Sequence, residues 1–307
     1  MTTTAEAVTG STAGRGTAAA PRRRVRPARV ALHGFLILTA VVWLIPVLWA
    51  VLASLRPYSD TQAHGYFSIP HSLSFNNFTT AWKNADLPRY YWNTLIVTVP
   101  ALLLTLMLAS FVAFGASRLR RSVNVLLLVV FTAGNLLPQQ VIITPLYRMY
   151  LKIPLPLWMS DSESLYDSYW GIIAIHVGFQ VGFCVFVLSN YLRTVPNELF
   201  EAARVDGASV WRQYWQLVVP LCRPAFAALA TLEFIWIYND FFWALVLMQT
   251  SEKRPITAAL ANLQGQFFTN NNLVAAGSLL VAIPTLTVYF VLQRQFIGGL
   301  TLGATKG

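Results

Sequence analysis

Charge is the scarcest ingredient of this chain. Asp, Glu, Lys and Arg make up 11% of its 307 residues, against 56% hydrophobic residues, too little to clothe the surface of an ordinary soluble domain. A mean hydropathy of +0.54 leads to the same exclusion. Acid is scarcer than base, 12 residues against 22, but the resulting net charge of +10 is spread over the segments between apolar blocks, so no nucleic-acid partner is expected. Only two cysteines occur, Cys184 and Cys222, in or beside apolar segments and without a CxxC spacing. That rules out a disulfide framework or a zinc site and suits buried small residues. His33, His64, His71 and His176 are scattered, with no HExxH and no cluster of ligands, so no metal site is expected. At His176, inside an apolar run, a helix-packing hydrogen bond outweighs a cavity-facing role. A GxxxxGK[ST] phosphate loop is missing, so the chain is not its own ATPase by that route. A membrane-surface enzyme would need a catalytic cluster, yet the only cytoplasmic acids besides Glu6 are Glu198, Glu201 and Asp206 of a single loop.

What is present is a series of long apolar blocks. Residues 1–29, rich in Thr, Ala, Gly and Arg, read as a disordered basic arm suited to anionic lipid headgroups. The block from Val30 to Ser54 is too long for a signal-peptide core and carries no cleavage site, so it reads as a first membrane helix. Five more spans are expected near 94–116, 123–147, 170–192, 217–247 and 273–293. The third should break at Asn135, Pro138, Gln139 and Gln140. The expected fold class is an all-α membrane protein of six transmembrane helices, with a membrane domain over 30–293 and a tail at 294–307.

Orientation follows from the basic residues. With the N-terminus inside, seven Lys and Arg fall outside (Arg56, Lys83, Arg89, Arg148, Lys152, Lys253 and Arg254) and the other fifteen of the 22 fall inside. Both termini, and the loop 193–217, are therefore expected in the cytoplasm. Outside, Trp82 and the Tyr90-Tyr91-Trp92 cluster within 55–93 fit an interfacial aromatic belt.

The longest charge-bearing stretch between two apolar blocks runs from Arg193 to Ala225. Pro196, Glu198 and Glu201 open a short helix, where negative charge meets the positive end of the backbone dipole. Asp206-Gly207 reads as its stop and Ser209 as the cap of a second helix. On that second helix Trp211, Tyr214, Trp215 and Val218 share a face. Two short helices hinged at a glycine thus form a cytoplasmic knob between two spans.

Two carboxylates, Glu233 and Asp240, fall inside the fifth apolar block, where ionised groups must face protein or water. Seven residues apart, they share a helix face, with Trp236 and Tyr238 close by. One reading is a polar, aromatic-lined path through the membrane. Another pairs Glu233 with a neighbouring helix and leaves Asp240 at the outer headgroups. A proton relay is the third.

The knob resembles the EAA loop of ATP-binding cassette (ABC) importer permeases. Glu201-Ala202-Ala203 is followed by Gly207 four residues after Ala203, and Pro220 lies thirteen residues after Gly207. Leu217 and Val219 depart from the usual Ile and Leu. Further stretches look like carbohydrate permeases of the MalG-like type: Ser54-Leu55-Arg56-Pro57, Asn93-Thr94, Leu137-Pro138 with Pro145-Leu146-Tyr147, Asn239-Asp240-Phe241, and the tail from Gln293 to Thr301. The resemblance implies a type I ABC importer permease fold with cytoplasmic coupling helices. It assigns Glu198, Glu201, Ala202, Ala203, Asp206, Gly207, Trp211 and Pro220 to docking on an ATPase subunit. Gln293, Arg294 and Lys306 would enter the ATPase dimer interface, and Gln264, Gln266, Asn270 and Asn271 would form an external probe of a solute-binding protein. Gln139, Gln140, Glu233, Trp236, Tyr238, Asn239 and Asp240 would line a sugar path. The implied partners are a second permease as a heterodimer, an ATPase dimer holding ATP and Mg, the external binding protein and membrane lipid; no cofactor is expected on this chain. A non-sugar solute is the alternative, and an ion-coupled secondary transporter a more distant one.

Overall fold

Helices dominate the computed structural model, which describes residues 27–119, 121–135, 138–264 and 269–301; among them the only extended pairings are the isolated bridges Pro154–Ser164 and Gln264–Thr269. The chain divides into Met1–Leu48 and Trp49–Gly307. The first unit ends inside α1 (Pro27–Leu55), an apolar helix of 29 residues, long enough to cross about 30 Å of hydrocarbon.

The second unit holds three more helices of spanning length: α4 (Leu87–Ser117), α7 (Tyr169–Leu192) and α14 (Asn271–Thr301). Between them come α2 (Tyr58–His64), α3 (Asn76–Asn84), α5 (Arg121–Asn135), α6 (Ile143–Lys152), α8 (Asn197–Val205), α9 (Val210–Gln213), α10 (Val219–Leu221), α11 (Arg223–Tyr238), α12 (Phe242–Leu247) and α13 (Ile256–Ala259). Two of the expected spans are broken. α5 stops at Asn135, and the helical run Gln139–Lys152 beyond Pro138 turns by 83°. A proline lacks the N–H a helix needs and pushes the preceding residue to extended backbone. The run Val210–Leu221 meets α11 at 71°, with Cys222 as the joint between Pro220 and Pro224.

Three boundaries therefore change. The block 217–247 is not one span: its start belongs to the bent run, α11 ends at Tyr238, and Asn239–Phe241 separate it from α12. α4 begins at Leu87 rather than 94, because Asp86 in a left-handed turn launches it (φ 48°). α14 carries on past 293 to Thr301, with no proline to stop it after Pro284.

α4 packs on α7 through small side chains. Ala101, Thr105, Ala109 and Ala113, four residues apart, are all buried, so the two backbones come close. Cys184, Val185 and Leu188 of α7 fill that seam with Leu229 of α11. At the head of α7, Ser168 accepts from the Gly171 N–H at 3.0 Å, and a Cβ on Gly171 would lie 2.3 Å from the Leu165 carbonyl. Only glycine fits there.

Polar clamps hold the end of the unit opposite the knob. Asn93 donates to the carbonyls of Glu252 and Arg254 at 2.7 and 3.0 Å and accepts from the Tyr169 hydroxyl at 2.8 Å. Thr94 accepts from the Ile256 N–H at 2.7 Å. The Asn93-Thr94 pair thus ties the 248–263 segment to α4 and α7. Buried Arg56 gathers Asp60, the Gly65 carbonyl and Ser68, while Asn77 and Asn272 both donate to the Arg56 carbonyl. Here the structure corrects the expectation of scattered histidines. His64 and His71 stack at 4.0 Å, with their Nδ1 atoms 3.1 and 3.6 Å from one oxygen of Asp60.

Candidate functional site

The knob is built by local chemistry. α8 ends in a turn where the Gly207 N–H donates to Arg204 O at 3.0 Å and the Ala208 N–H to Ala203 O at 2.9 Å. This paired closure needs a left-handed residue, and Gly207 supplies φ +74°. Ser209 then caps α9 by accepting from the Arg212 N–H at 3.2 Å, and a π-helical turn, Tyr214–Val218, carries the chain into the bent run.

α8 has no buried residue. Glu198, Glu201, Ala202, Asp206 and Gly207 lie on its open side, and Val205 is 88% exposed. Trp211 is 62% exposed and stacks on Phe111, while Ala203 and Pro220 are half-buried. The face expected on the second helix divides: Trp211 and Trp215 stay outside, whereas Tyr214 and Val218 are buried in the α4–α7 seam.

Two buried residues fasten the knob to the spans: Tyr214, expected only as part of the second helix's face, and Gln213, which sequence reasoning passed over. Tyr214 and Ser110 of α4 share a hydroxyl hydrogen bond of 2.6 Å. Gln213 donates to the Ala208 carbonyl at 2.8 Å and accepts from Arg118 at 2.5 Å. Arg118, just past α4, lies 4.4 Å above the Phe114 ring. The hinge after Gly207 is thereby bonded to the end of a spanning helix.

A second feature lies between α7 and α11, a cavity of about 630 Å³. Gln139, Trp236, Asn239 and Asp240, four of the residues named for a sugar path, line it together with His176, Phe179, Gln180 and Trp243. Asp240 accepts from the N–H groups of Trp243 and Ala244 at 3.4 and 3.3 Å, capping α12, and His176 approaches it to 3.7 Å. His176 thus faces the cavity instead of serving helix packing alone. The Gln180 side-chain oxygen is buried without a partner.

Glu233 and Tyr238 are elsewhere. Glu233 is 0% exposed and accepts from Cys184 at 3.1 Å, in line with the reading that pairs it to a neighbouring helix. Tyr238 donates to Val281 O of α14 at 3.0 Å. The shared face expected for Glu233 and Asp240 fails because α11 ends between them. Gln140 is exposed and does not line the cavity.

Of the remaining expected residues, Gln264 is exposed beside its bridge to Thr269, Asn270 caps α14 through the N–H groups of Asn272 and Leu273, and Asn271 is exposed. Gln293 donates to Phe290 O at 3.0 Å. Arg294 continues the backbone of α14, and Gln266 and Lys306 lie outside the described residues.

Comparison with known proteins follows the same lines. Residues 93–298, which include both features, match the family described as binding-protein-dependent transport system inner membrane component. The chain is 30% identical over 277 residues to the diacetylchitobiose uptake system permease protein NgcG of Streptomyces coelicolor, covering 89% of this chain and 88% of that one. It is also 30% identical over 271 residues to the melibiose/raffinose/stachyose import permease protein MelC of Bacillus subtilis, covering 88% and 94%. Among solved structures, it shares its fold with a chain of a bacterial ABC transporter involved in the import of the acidic polysaccharide alginate. There the TM-score is 0.74 at 22% identity, over 90% of this chain and 98% of that one. The chain therefore belongs to the binding-protein-dependent transport system inner membrane components, as a permease subunit of an ABC transporter and a transport component rather than an enzyme.

Proposed function

We propose that this permease moves a sugar or oligosaccharide into the cytoplasm, driven by ATP hydrolysis on separate subunits. The observation that carries the proposal is the knob: an EAA-type segment whose charged and apolar side chains are open on α8 while its hinge is bonded to α4. In this account the six spans are α1, α4, α7, α14 and the two bent pairs, with both termini in the cytoplasm. An ATPase dimer holding ATP and Mg grips α8, and its closure rocks the helices between inward- and outward-facing states. A second permease completes the pathway as a heterodimer, and an external binding protein delivers the solute.

A sugar is favoured by the cavity, where exposed Trp236 and Phe179, tilted against Trp243, stand beside Asn239, Gln180 and Asp240. Aromatic faces suit sugar rings and the polar groups suit hydroxyls. The names of the relatives point the same way. The test is uptake into proteoliposomes holding the co-purified complex and its binding protein, screened across mono- and oligosaccharides. Uptake that requires internal ATP and survives an uncoupler supports the proposal. Uptake that survives ATP depletion and collapses with the proton gradient overturns it.

A further inference from the structure

At the knob end of α4 and α7 lies a cavity of about 420 Å³ that the transport account leaves without a task. Arg118, Arg193 and Arg204 border it, and no acidic residue does. None of the three makes an ion pair among the described residues. Each sits at the C-terminal end of a helix, α4, α7 or α8. Helix carbonyls there favour a cation, which explains one arginine per end but not three around one space.

Unmet polar groups point to something more. Of the buried side-chain atoms without a partner among the described residues, Arg118 Nε, Asn124 Oδ1 and Ser189 Oγ all belong to residues of this cavity. Ser189 is 4% exposed. Burial, and after it the nearby charge of Arg204, hold the Arg118 guanidinium below its ordinary range. Like charges kept together beside an unpaired guanidinium N–H and an unpaired hydroxyl, those of Arg118 and Ser189, are the mark of an anion's place. Two apolar spans end here, so the cavity lies where hydrocarbon gives way to headgroups.

We infer that this cavity is a binding site for a phosphate-bearing anion, held by Arg118, Arg193 and Arg204 with the Ser189 hydroxyl. Two sources carry that chemistry, the headgroup of an anionic phospholipid and a soluble phosphate. Bound there, the anion bridges α4, α7 and α8. On the coupling reading of α8 it stiffens the segment that receives the ATPase stroke; the binding itself does not depend on that reading.

The test uses the full chain with its co-expressed partners in nanodiscs. One set holds phosphatidylcholine alone, with or without inorganic phosphate; the other also holds phosphatidylglycerol. Bound lipid is read by native mass spectrometry and phosphate binding by the shift in melting temperature. Retained phosphatidylglycerol assigns the lipid source, and a phosphate-dependent rise in neutral discs assigns the soluble one. In either case Arg193→Gln with Arg204→Gln should weaken binding about tenfold or more. Ser189→Ala, a smaller change, should weaken it less, and Arg223→Gln, the loss of one charge outside the cavity, should leave it unchanged while either single arginine variant weakens it. Binding in neither set, or binding equal in the double variant, overturns the inference. ATPase activity of the same discs is read separately: hydrolysis indifferent to Gly207→Pro sinks the coupling account while bound anion preserves the site.

Discussion

Gln213 and Arg118, ninety-five residues apart in sequence, meet through a 2.5 Å hydrogen bond, and the other end of the Gln213 amide holds the Ala208 carbonyl just past the Gly207 hinge. One 2% exposed side chain thus joins the knob to the spanning helix α4. Gln213→Leu keeps the volume but strands a guanidinium and a carbonyl. The expected cost is about 1–3 kcal/mol, since unpaired buried polar groups lose their full solvation. Melting temperature should fall, and solute-stimulated ATPase activity should fall further than stability explains. Stimulation equal to the parent's would argue against a mechanical link.

Gly207→Pro should abolish uptake while membrane insertion persists. Proline fixes φ near −65°, opposite in sign to the observed +74°, and removes the N–H that closes on Arg204. Gly207→Ala is milder, costing roughly 1–2 kcal/mol for the left-handed backbone, and should retain partial uptake. Transport assays with surface-expression controls separate the two.

The cavity and the buried carboxylate should respond differently. Trp236→Ala, Asn239→Ala and Asp240→Asn alter groups that border the cavity and should shift solute dependence or selectivity. Glu233→Gln alters a group bonded to Cys184 away from it and should change stability with selectivity intact. Competition uptake across a sugar panel, beside melting curves, provides the comparison; selectivity changed by Glu233→Gln alone would reverse the assignment.

Asp60 gives a pH dependence. Burial on its own would raise its carboxyl, but the Arg56 hydrogen bond, the His71 backbone N–H and the charges of Arg56 and His64 reverse this and hold it below the ordinary 3.8. A carboxyl lowered in the folded state stabilises fully above its unfolded value and loses that contribution as pH falls through the folded one. Asp60→Asn should therefore lower the melting temperature at neutral pH, with the gap to the parent closing as the pH falls below the ordinary carboxylate range. A gap constant across that range would contradict the ion-pair account.

How much of this was legible in the sequence depended on how far each argument had to reach. The stop at Gly207 and the cap at Ser209 are local chemistry, and both are found. The break near Pro138 follows from its proline, though its angle does not; the bend at Cys222 was not foreseen, since 217–247 read as one apolar block. Gln213 was invisible because its partner lies across the core, and His64 and His71 meet only when the chain folds back on Asp60. The shared face of Glu233 and Asp240 assumed an unbroken helix, and the structure ends that helix at Tyr238.

The account rests on α8 meeting an ATPase from the cytoplasmic side, and Val205, 88% exposed on that helix, is the place to test it. The native cysteines Cys184 and Cys222 are buried, so a Val205→Cys variant offers one reactive thiol to a short cross-linker in the assembled transporter. The account predicts a nucleotide-sensitive cross-link from that thiol to the ATPase subunit. Labelling of the same thiol in intact cells by a membrane-impermeant maleimide, with no cross-link to the ATPase, would contradict it.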